Sequence, residues 1–166
     1  MQENFTRGKI MVKTNAMRQL DVAGIEYTTA EYEVDESDLS GTHAAELLGI
    51  DPDSMFKTLV CRDDKGTARV FCIPVALELD LKKCAQAAGV KRVEMIGVKE
   101  LLPLTGYIRG GCSPIGMKKK FPTYIDECAT LFDNIYVSAG MRGVQMCLSP
   151  IALAEFIEAD FCDIIK

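Results

Sequence analysis

In FKTLVCRDDKGTARVFCIPV, residues 56–75, two apolar runs flank the polar segment DDKG. Both runs are rich in β-branched and aromatic residues, which are typical of strands. A short polar segment with a glycine between two such runs indicates a tight turn. The stretch therefore predicts a long β-hairpin, around which the other elements are placed.

Caps and apolar spacing predict helices before and after this hairpin. Helices are expected at residues 13–24, before Gly49, at 80–89, as a short turn at 98–104, and after Ser149-Pro150. Strands are expected at 25–34 and 92–96, and in a second half of strands and glycine turns at 106–116, 122–127, 134–140 and 143–149. The order lacks regular β-α-β alternation. It predicts an α+β fold with a mixed, largely antiparallel, β-barrel-like sheet flanked by helices.

Length, charge and hydropathy limit the domain count and the classes of function that are expected. The 166 residues fit one domain, which we expect at 11–166, with residues 1–10 as a flexible tail, an upstream start or a vector remnant. The net charge of −5 argues against broad, sequence-blind nucleic-acid binding but allows a local basic patch. No apolar run approaches the roughly 20 residues of a membrane span, and the N-terminus lacks a signal-peptide centre. A cytoplasmic protein without membrane contact is expected.

The number and spacing of the cysteines argue against disulfides and against a metal site. There are seven, an odd number without CxxC spacing, and a single histidine, His43, accompanies them. We therefore expect buried thiols, no metal and no cofactor. A Ser-His-Asp triad is not credible and GxSxG is absent, whereas Cys112 in a glycine loop remains an alternative nucleophile that lacks a base.

Four segments carry features that a simple core does not require. Lys57 enters an apolar strand, Tyr32 precedes an acidic loop, and two glycine-rich loops follow at 110–116 and 138–143. Glycines permit close approach of a ligand to backbone N–H groups, and hydroxyls and a cation beside them suit an oxyanion and ribose pocket. Each feature also has a structural explanation: a strand-end lysine, a packed tyrosine, a tight turn and a hairpin turn.

A resemblance to a known family joins these segments. The motifs are KTNAMRQLDVAGIEY, MFKTLV, LDLKKCAQAAGVKRVEM, GYIRGGCSPIGMKKKFPTYID and IYVSAGMRG. In this order and spacing, from about Met11 to the end, they resemble the YbaK/EbsC family of bacterial Cys-tRNA(Pro) deacylases. The family is related to the editing insertion domain of prolyl-tRNA synthetases. The resemblance implies a compact α+β fold around a mixed β-barrel, and hydrolytic trans-editing of mischarged tRNA in partnership with tRNA(Pro) and prolyl-tRNA synthetase.

The resemblance also implies residue roles. Lys57 matches a family lysine that is required for activity and holds the acceptor end of the tRNA through a phosphate. Catalytic roles are implied for Lys57, Gly111, Ser138 and Gly140. Substrate contacts are implied for Tyr32, Gly110, Ser113, Pro114, Gly116, Arg142, Gly143 and Gln145. The run Lys118, Lys119 and Lys120 is expected to contact tRNA phosphates.

The family mechanism assigns the nucleophile to the substrate, because the thiol of the attached cysteine attacks its own ester. Such a site needs neither a catalytic triad nor a metal. The chain departs from the family pattern at two positions, with Ala139 in place of a glycine and Gln145 in place of an aspartate. The alternatives are a deacylase for another small amino acid such as alanine, and a tRNA- or nucleotide-binding module without catalysis.

Overall fold

The predicted hairpin forms the centre of the fold. The computed structural model describes residues 13–166, so the expected tail at 1–10 lies outside the described residues. Strands Phe56–Asp63 and Ala68–Pro74 pair antiparallel. Their turn is closed by the Asp63 carboxylate, which accepts hydrogen bonds from Lys65 N at 2.9 Å and Thr67 N at 3.0 Å. The aspartate satisfies backbone donors that the turn would otherwise leave free.

Residues 13–166 contain five α-helices and eight strands. In chain order they are α1 (Asn15–Ala23), β1 (Thr28–Glu31), α2 (Gly41–Leu48), β2 (Phe56–Asp63), β3 (Ala68–Pro74), α3 (Leu81–Ala88), β4 (Val93–Met95), α4 (Val98–Thr105), β5 (Thr123–Asp126), β6 (Ile135–Ser138), β7 (Val144–Leu148), α5 (Pro150–Ile157) and β8 (Asp160–Cys162). Short 3-10 helices lie at Pro52–Ser54 and Glu127–Leu131.

The strands form two sheets. One has the order β4-β2-β3-β5-β8 and the other β1-β7-β6. The β3–β5 and β5–β8 pairs are parallel and the other pairs are antiparallel. The prediction of a mixed, largely antiparallel sheet with flanking helices is confirmed, but the strands of the described chain do not close into a barrel. A single bridge between Met55 and Tyr136 joins the two sheets.

The caps were predicted well, and several strands were not. Ser40, Asp80 and Ser149 cap α2, α3 and α5 with their side chains. The strand expected to reach Val34 ends at Glu31. Residues 106–116 contain no strand, since Gly110 and Gly116 take φ of +85° and +81°, in the left-handed region that a strand excludes. Strand β8 was not predicted at all.

The hairpin is buried on both faces, because successive strand residues point to opposite sides of the sheet. Val60 and Cys72 enter the core that packs against α1 and α5, whereas Cys61 and Phe71 enter a second core beside α3. The hairpin thus holds both halves of the domain together and fixes the position of Lys57 at its edge. No helix within residues 13–166 is long and apolar enough to cross a membrane.

Candidate functional site

A cleft of about 390 Å³ opens where β2 begins. It lies between the start of α2, the β4–α4 connection, the loop that contains Gly110, and the β6–β7 sheet. The side chains and backbone around it are mainly apolar. The polar or sequence-predicted residues that line it are Tyr32, Ser40, Lys57, Thr58, Arg109, Gly110, Cys112, Ser138 and Gln145.

Lys57 is the cation at the centre of this arrangement. It alternates along β2 with the buried residues Phe56 and Thr58, and is itself half-buried. Burial lowers the pKa of Lys57 from its ordinary value, and the charge of Glu78 acts weakly in the other direction. Within residues 13–166 no carboxylate lies within 4.0 Å of its Nζ. A cation that is partly desolvated and unpaired attracts an anionic oxygen strongly.

Ser138 and Gln145 form the opposite wall. They are direct register partners on β6 and β7. Ser138 Oγ accepts a hydrogen bond from Gly140 N at 3.1 Å, which fixes the hydroxyl beside the second glycine loop. Gln145 is buried, and its Oε1 has no hydrogen-bond partner among the described residues. Tyr32 N donates to Gly143 O at 2.9 Å, which holds Tyr32 at the cleft wall.

The two glycine-rich loops pack backbone against backbone. A Cβ on Gly111 would lie 3.0 Å from Arg142 N and 3.1 Å from Met141 C. The Gly111 N–H already donates to Ile108 O at 2.9 Å. Gly111 is therefore needed for the close approach of the loops. Cys112 follows it and lines the cleft, and its N–H donates to no backbone acceptor among residues 13–166.

Arg142 connects the loops to the acidic segment. Its Nε donates to the carbonyl of Arg109 at 2.9 Å, and its Nη1 lies 3.2 Å from Glu36 Oε2. The Arg142 side chain does not line the cleft. Its guanidinium holds the Arg109–Gly110 backbone in place, so its contribution to the cleft is positional.

Gly116 and Gly140 are shaped by Tyr107. A Cβ on either glycine would lie 2.9 Å from an atom of the tyrosine side chain. The Tyr107 hydroxyl donates to Ile115 O at 2.5 Å, and burial raises its pKa to about 12, so it remains a donor at neutral pH. Ser113 is fully buried and accepts a hydrogen bond from Ile115 N at 3.2 Å. These contacts build the loop, and the residues that make them are not among those that line the cleft.

The lysine run lies elsewhere. A separate groove of about 230 Å³ is lined by Pro114, Gly116, Lys119 and Lys120, with Phe121 and Phe156 among its apolar residues. It shares no lining residue with the cleft. Lys120 forms an ion pair with Glu158. Lys118 is exposed, and its Nζ lies 3.4 Å from the carbonyl of Pro103.

Cys112 lines the cleft but is not activated. Burial raises the pKa of its thiol to about 12, so the nucleophilic thiolate is scarce at neutral pH. His43 does not line the cleft, and its Nε2 lies 3.2 Å from Asp35 Oδ2. No cluster of three or more potential metal ligands occurs within residues 13–166. The part of the chain that the structure describes therefore places no histidine or carboxylate in the cleft that could act as a base for this thiol.

Some lining residues were missed by the sequence analysis. Arg109 brings a second cation to the cleft, and Met95 and Val98 form an apolar rim that is 48% and 66% exposed. Arg109 directly precedes the glycine pair, which was the available signal. The rim gave no signal, because Met95 ends a strand and Val98 begins a helix, and only the turn between them brings both to the mouth.

Comparison with known proteins places this geometry in context. Residues 40–156 match the family model described as the aminoacyl-tRNA editing domain. EbsC of Enterococcus faecalis, provisionally named a Cys-tRNA(Pro)/Cys-tRNA(Cys) deacylase, is 48% identical over 160 residues, which cover 96% of this chain and 98% of EbsC. The uncharacterised protein YwhH of Bacillus subtilis is 27% identical over 139 residues, covering 84% of this chain and 82% of YwhH.

Solved structures share the fold. A protein described as a provisional trans-editing enzyme for prolyl-tRNA synthetase superposes with a TM-score of 0.77 at 23% identity, covering 93% of this chain and 99% of that one. A hypothetical protein superposes with a TM-score of 0.81 at 23% identity, covering 90% and 97% of the two chains. At this level of identity the likeness establishes the architecture.

Proposed function

The chain belongs to the aminoacyl-tRNA editing domain family, and from this premise we propose that it is a trans-editing deacylase with Cys-tRNA(Pro) as its substrate. The observation that carries the proposal is the identity of 48% to EbsC over nearly the full length of both chains. The cleft supports it with a partly buried lysine that has no carboxylate within 4.0 Å among residues 13–166. The proposed cellular partner is prolyl-tRNA synthetase, which would supply the mischarged tRNA(Pro).

The cleft suits the end of an aminoacylated tRNA in size and polarity. Its volume of about 390 Å³ is in the range that encloses a small ligand. Lys57 and Arg109 would attract the phosphate and the ester oxygen, and the apolar residues Met55 and Val75 would contact the aminoacyl side chain. The N–H of Cys112 would donate to the oxyanion that develops on the ester carbonyl.

In the proposed reaction the nucleophile is a group of the substrate, the thiol of the attached cysteine. The thiol sulfur of the attached cysteine forms a bond to the ester carbonyl carbon, and the bond from that carbon to the ribose oxygen breaks. The thiol proton passes to the departing ribose oxygen, which leaves free tRNA and a cysteine thiolactone. The thiolactone is then hydrolysed by water. The protein contributes by holding sulfur and carbonyl in an attack geometry and by stabilising negative charge.

Both departures from the family pattern are compatible with this role. Ala139 is fully buried in the core, and its N–H donates to Val144 O at 3.0 Å, so its methyl group does not line the cleft. Gln145 lines the cleft and, unlike an aspartate at this position, brings no carboxylate to it. Since the nucleophile comes from the substrate, no carboxylate base is needed at that position.

The test is release of the amino acid from Cys-tRNA(Pro), measured beside Ala-tRNA(Pro) and Pro-tRNA(Pro), with and without prolyl-tRNA synthetase. Rapid loss of cysteine alone is the expected result, because alanine and proline carry no thiol. Equal loss of alanine and cysteine would contradict attack by the substrate thiol. Persistence of all three esters under both conditions would overturn the proposal of a deacylase and favour a module that binds tRNA without catalysis.

A further inference from the structure

The cleft contains a polar atom that the proposed reaction does not use. Gln145 is 6% exposed, lines the cleft and faces Ser138 across the β6–β7 pair. Its Oε1 is buried and accepts no hydrogen bond from any group within residues 13–166. An unsatisfied buried acceptor is unfavourable, because it has lost water without gaining a donor. The position therefore favours a ligand that brings a donor.

The charges in the cleft restrict the identity of that donor. The lining residues include the cations Lys57 and Arg109 and no carboxylate. The lining serine hydroxyls already accept hydrogen bonds, Ser138 Oγ from Gly140 N and Ser40 Oγ from His43 N at 3.3 Å. The two basic side chains repel a cationic group of a ligand, so such a group would bind at a neutral acceptor rather than beside them. Among the buried side-chain oxygens within residues 13–166, that of the neutral Gln145 is the one left without any hydrogen-bond partner, so it gains most from a donor of the ligand.

We propose that Gln145 binds the α-ammonium group of the aminoacyl ester through its carboxamide oxygen. This inference rests on the proposed function and adds the position of the amino group to it. An aminoacyl ester is polar at two ends, with phosphate and carbonyl oxygens at one and an ammonium at the other. Lys57 and Arg109 match the first end, and Gln145 matches the second.

The neutral amide also protects the charge of Lys57. A carboxylate at position 145 would place an anion in the same cleft as the lysine and compete with the substrate phosphate for it. The amide accepts a hydrogen bond from the ammonium without doing so. By fixing the amino group, Gln145 would also limit rotation about Cα, which favours conformations in which the thiol faces the carbonyl.

The test compares two esters of the same tRNA, one carrying cysteine and the other carrying 3-mercaptopropionate, which keeps the thiol and lacks the amino group. Gln145→Met removes the acceptor and preserves the length of the side chain. We expect kcat/KM on the cysteinyl ester to fall about ten- to hundredfold, the range for a hydrogen bond to a charged group. On the desamino ester we expect a change of less than about threefold. Equal losses on both esters would overturn the assignment, as would no loss on the cysteinyl ester.

Gln145→Glu is the matched variant, since it retains an oxygen acceptor. It should keep the preference for the ester with the amino group, and thermal melting of both variants shows that they fold. A second measurement separates this inference from the proposed function. Binding of adenosine carrying cysteine through a 3′-amide, and of its desamino counterpart, can be measured by calorimetry without turnover. The wild-type protein should prefer the compound with the amino group and Gln145→Met should not; equal binding by the wild type would refute the role of Gln145.

Discussion

The two basic regions of the molecule differ in every property except the sign of their charge. Lys57 stands alone in sequence, is half-buried in the cleft, and has no carboxylate within 4.0 Å among the described residues. Lys118, Lys119 and Lys120 form a conspicuous run, are exposed, and lie at or near a separate groove where Lys120 is paired with Glu158. Water screens the second set, whereas burial strengthens the field of the first.

Charge density along the chain is therefore a poor guide to the place where a charge acts on a ligand. An exposed run supplies long-range attraction that salt weakens. A single lysine at a half-buried strand edge supplies a directed interaction with one oxygen. We therefore propose that the Lys57 cleft carries the chemistry and that the lysine run supplies general attraction for tRNA, and substitutions can separate the two roles.

The largest expected effect is that of Lys57→Met on deacylation. Loss of a charged donor that stabilises the transition state should lower kcat/KM for Cys-tRNA(Pro) by about 100-fold or more. Lys99→Met, at an exposed position on α4 outside the cleft lining, is the matched control and should change the rate by less than about twofold. Equal rates for the two variants would contradict a role of Lys57 in deacylation.

Gly111→Ala should affect both activity and stability. The added Cβ would lie 3.0 Å from Arg142 N, so the two glycine-rich loops must separate. We expect a loss of about 1–3 kcal/mol in the free energy of unfolding and about a tenfold loss of kcat/KM. Gly24→Ala is the control, because Gly24 has a φ of +72° but open space around it. Gly24→Ala should be less stable in denaturant titration and keep its activity. If Gly111→Ala also kept its activity, close packing of the two glycine-rich loops would not be needed for deacylation in the cleft.

Lys57→Met should also stabilise the fold. Burial lowers the pKa of Lys57 in the folded protein below its ordinary value of 10.5, so the folded state binds this proton less tightly than the unfolded state. The resulting penalty is fully present at neutral pH and disappears as pH rises through the lowered pKa towards 10.5. The variant should melt at a higher temperature than wild type at pH 7, with a smaller gain in alkaline buffer. A lower melting temperature at pH 7 would contradict the desolvated state of Lys57.

The lysine run should give a smaller effect that depends on salt. Replacing Lys118, Lys119 and Lys120 with glutamine should weaken tRNA binding about two- to fivefold at low salt and reduce the slope of affinity against salt concentration. The single-turnover rate at saturating enzyme should remain that of the wild type. A loss of this rate that saturation does not restore would place the run in the chemical step.

The smallest expected effect is that of Cys112→Ala, which should leave kcat/KM within about twofold. The buried thiol, with a pKa of about 12, is protonated at neutral pH, and the described residues that line the cleft include no histidine or carboxylate. The steady-state rate with Cys-tRNA(Pro) checks this. If the variant melted cooperatively but had no activity, the result would favour a mechanism in which the Cys112 thiol is the nucleophile.

The sequence predicted the parts of the fold that depend on local physics. The hairpin turn at Asp63 and the caps at Asp80 and Ser149 were recognisable because each rests on residues close together in the chain. The division into two sheets was not, since it depends on pairings between distant strands. Strand β8 was missed for the same reason, as it pairs in parallel with β5, more than thirty residues earlier in the chain.

The candidate site divides in the same way. Lys57, Tyr32, Ser138 and Gln145 were named from motifs, and the structure brings all four to one cleft. Their placement depends on the packing of the two sheets, which no local pattern records. The proximity of Gly111 to Arg142 was equally hidden, because a glycine that serves loop packing and one that serves a ligand look the same in sequence.

A crystal structure of the protein with adenosine that carries cysteine through a stable 3′-amide in place of the ester would show where the substrate binds. We expect the aminoacyl group to lie in the cleft between Lys57 and Gln145, with its carbonyl oxygen near the N–H of Cys112. Density for the compound in the groove beside Lys119 and Lys120, with the cleft empty at a saturating concentration, would contradict it.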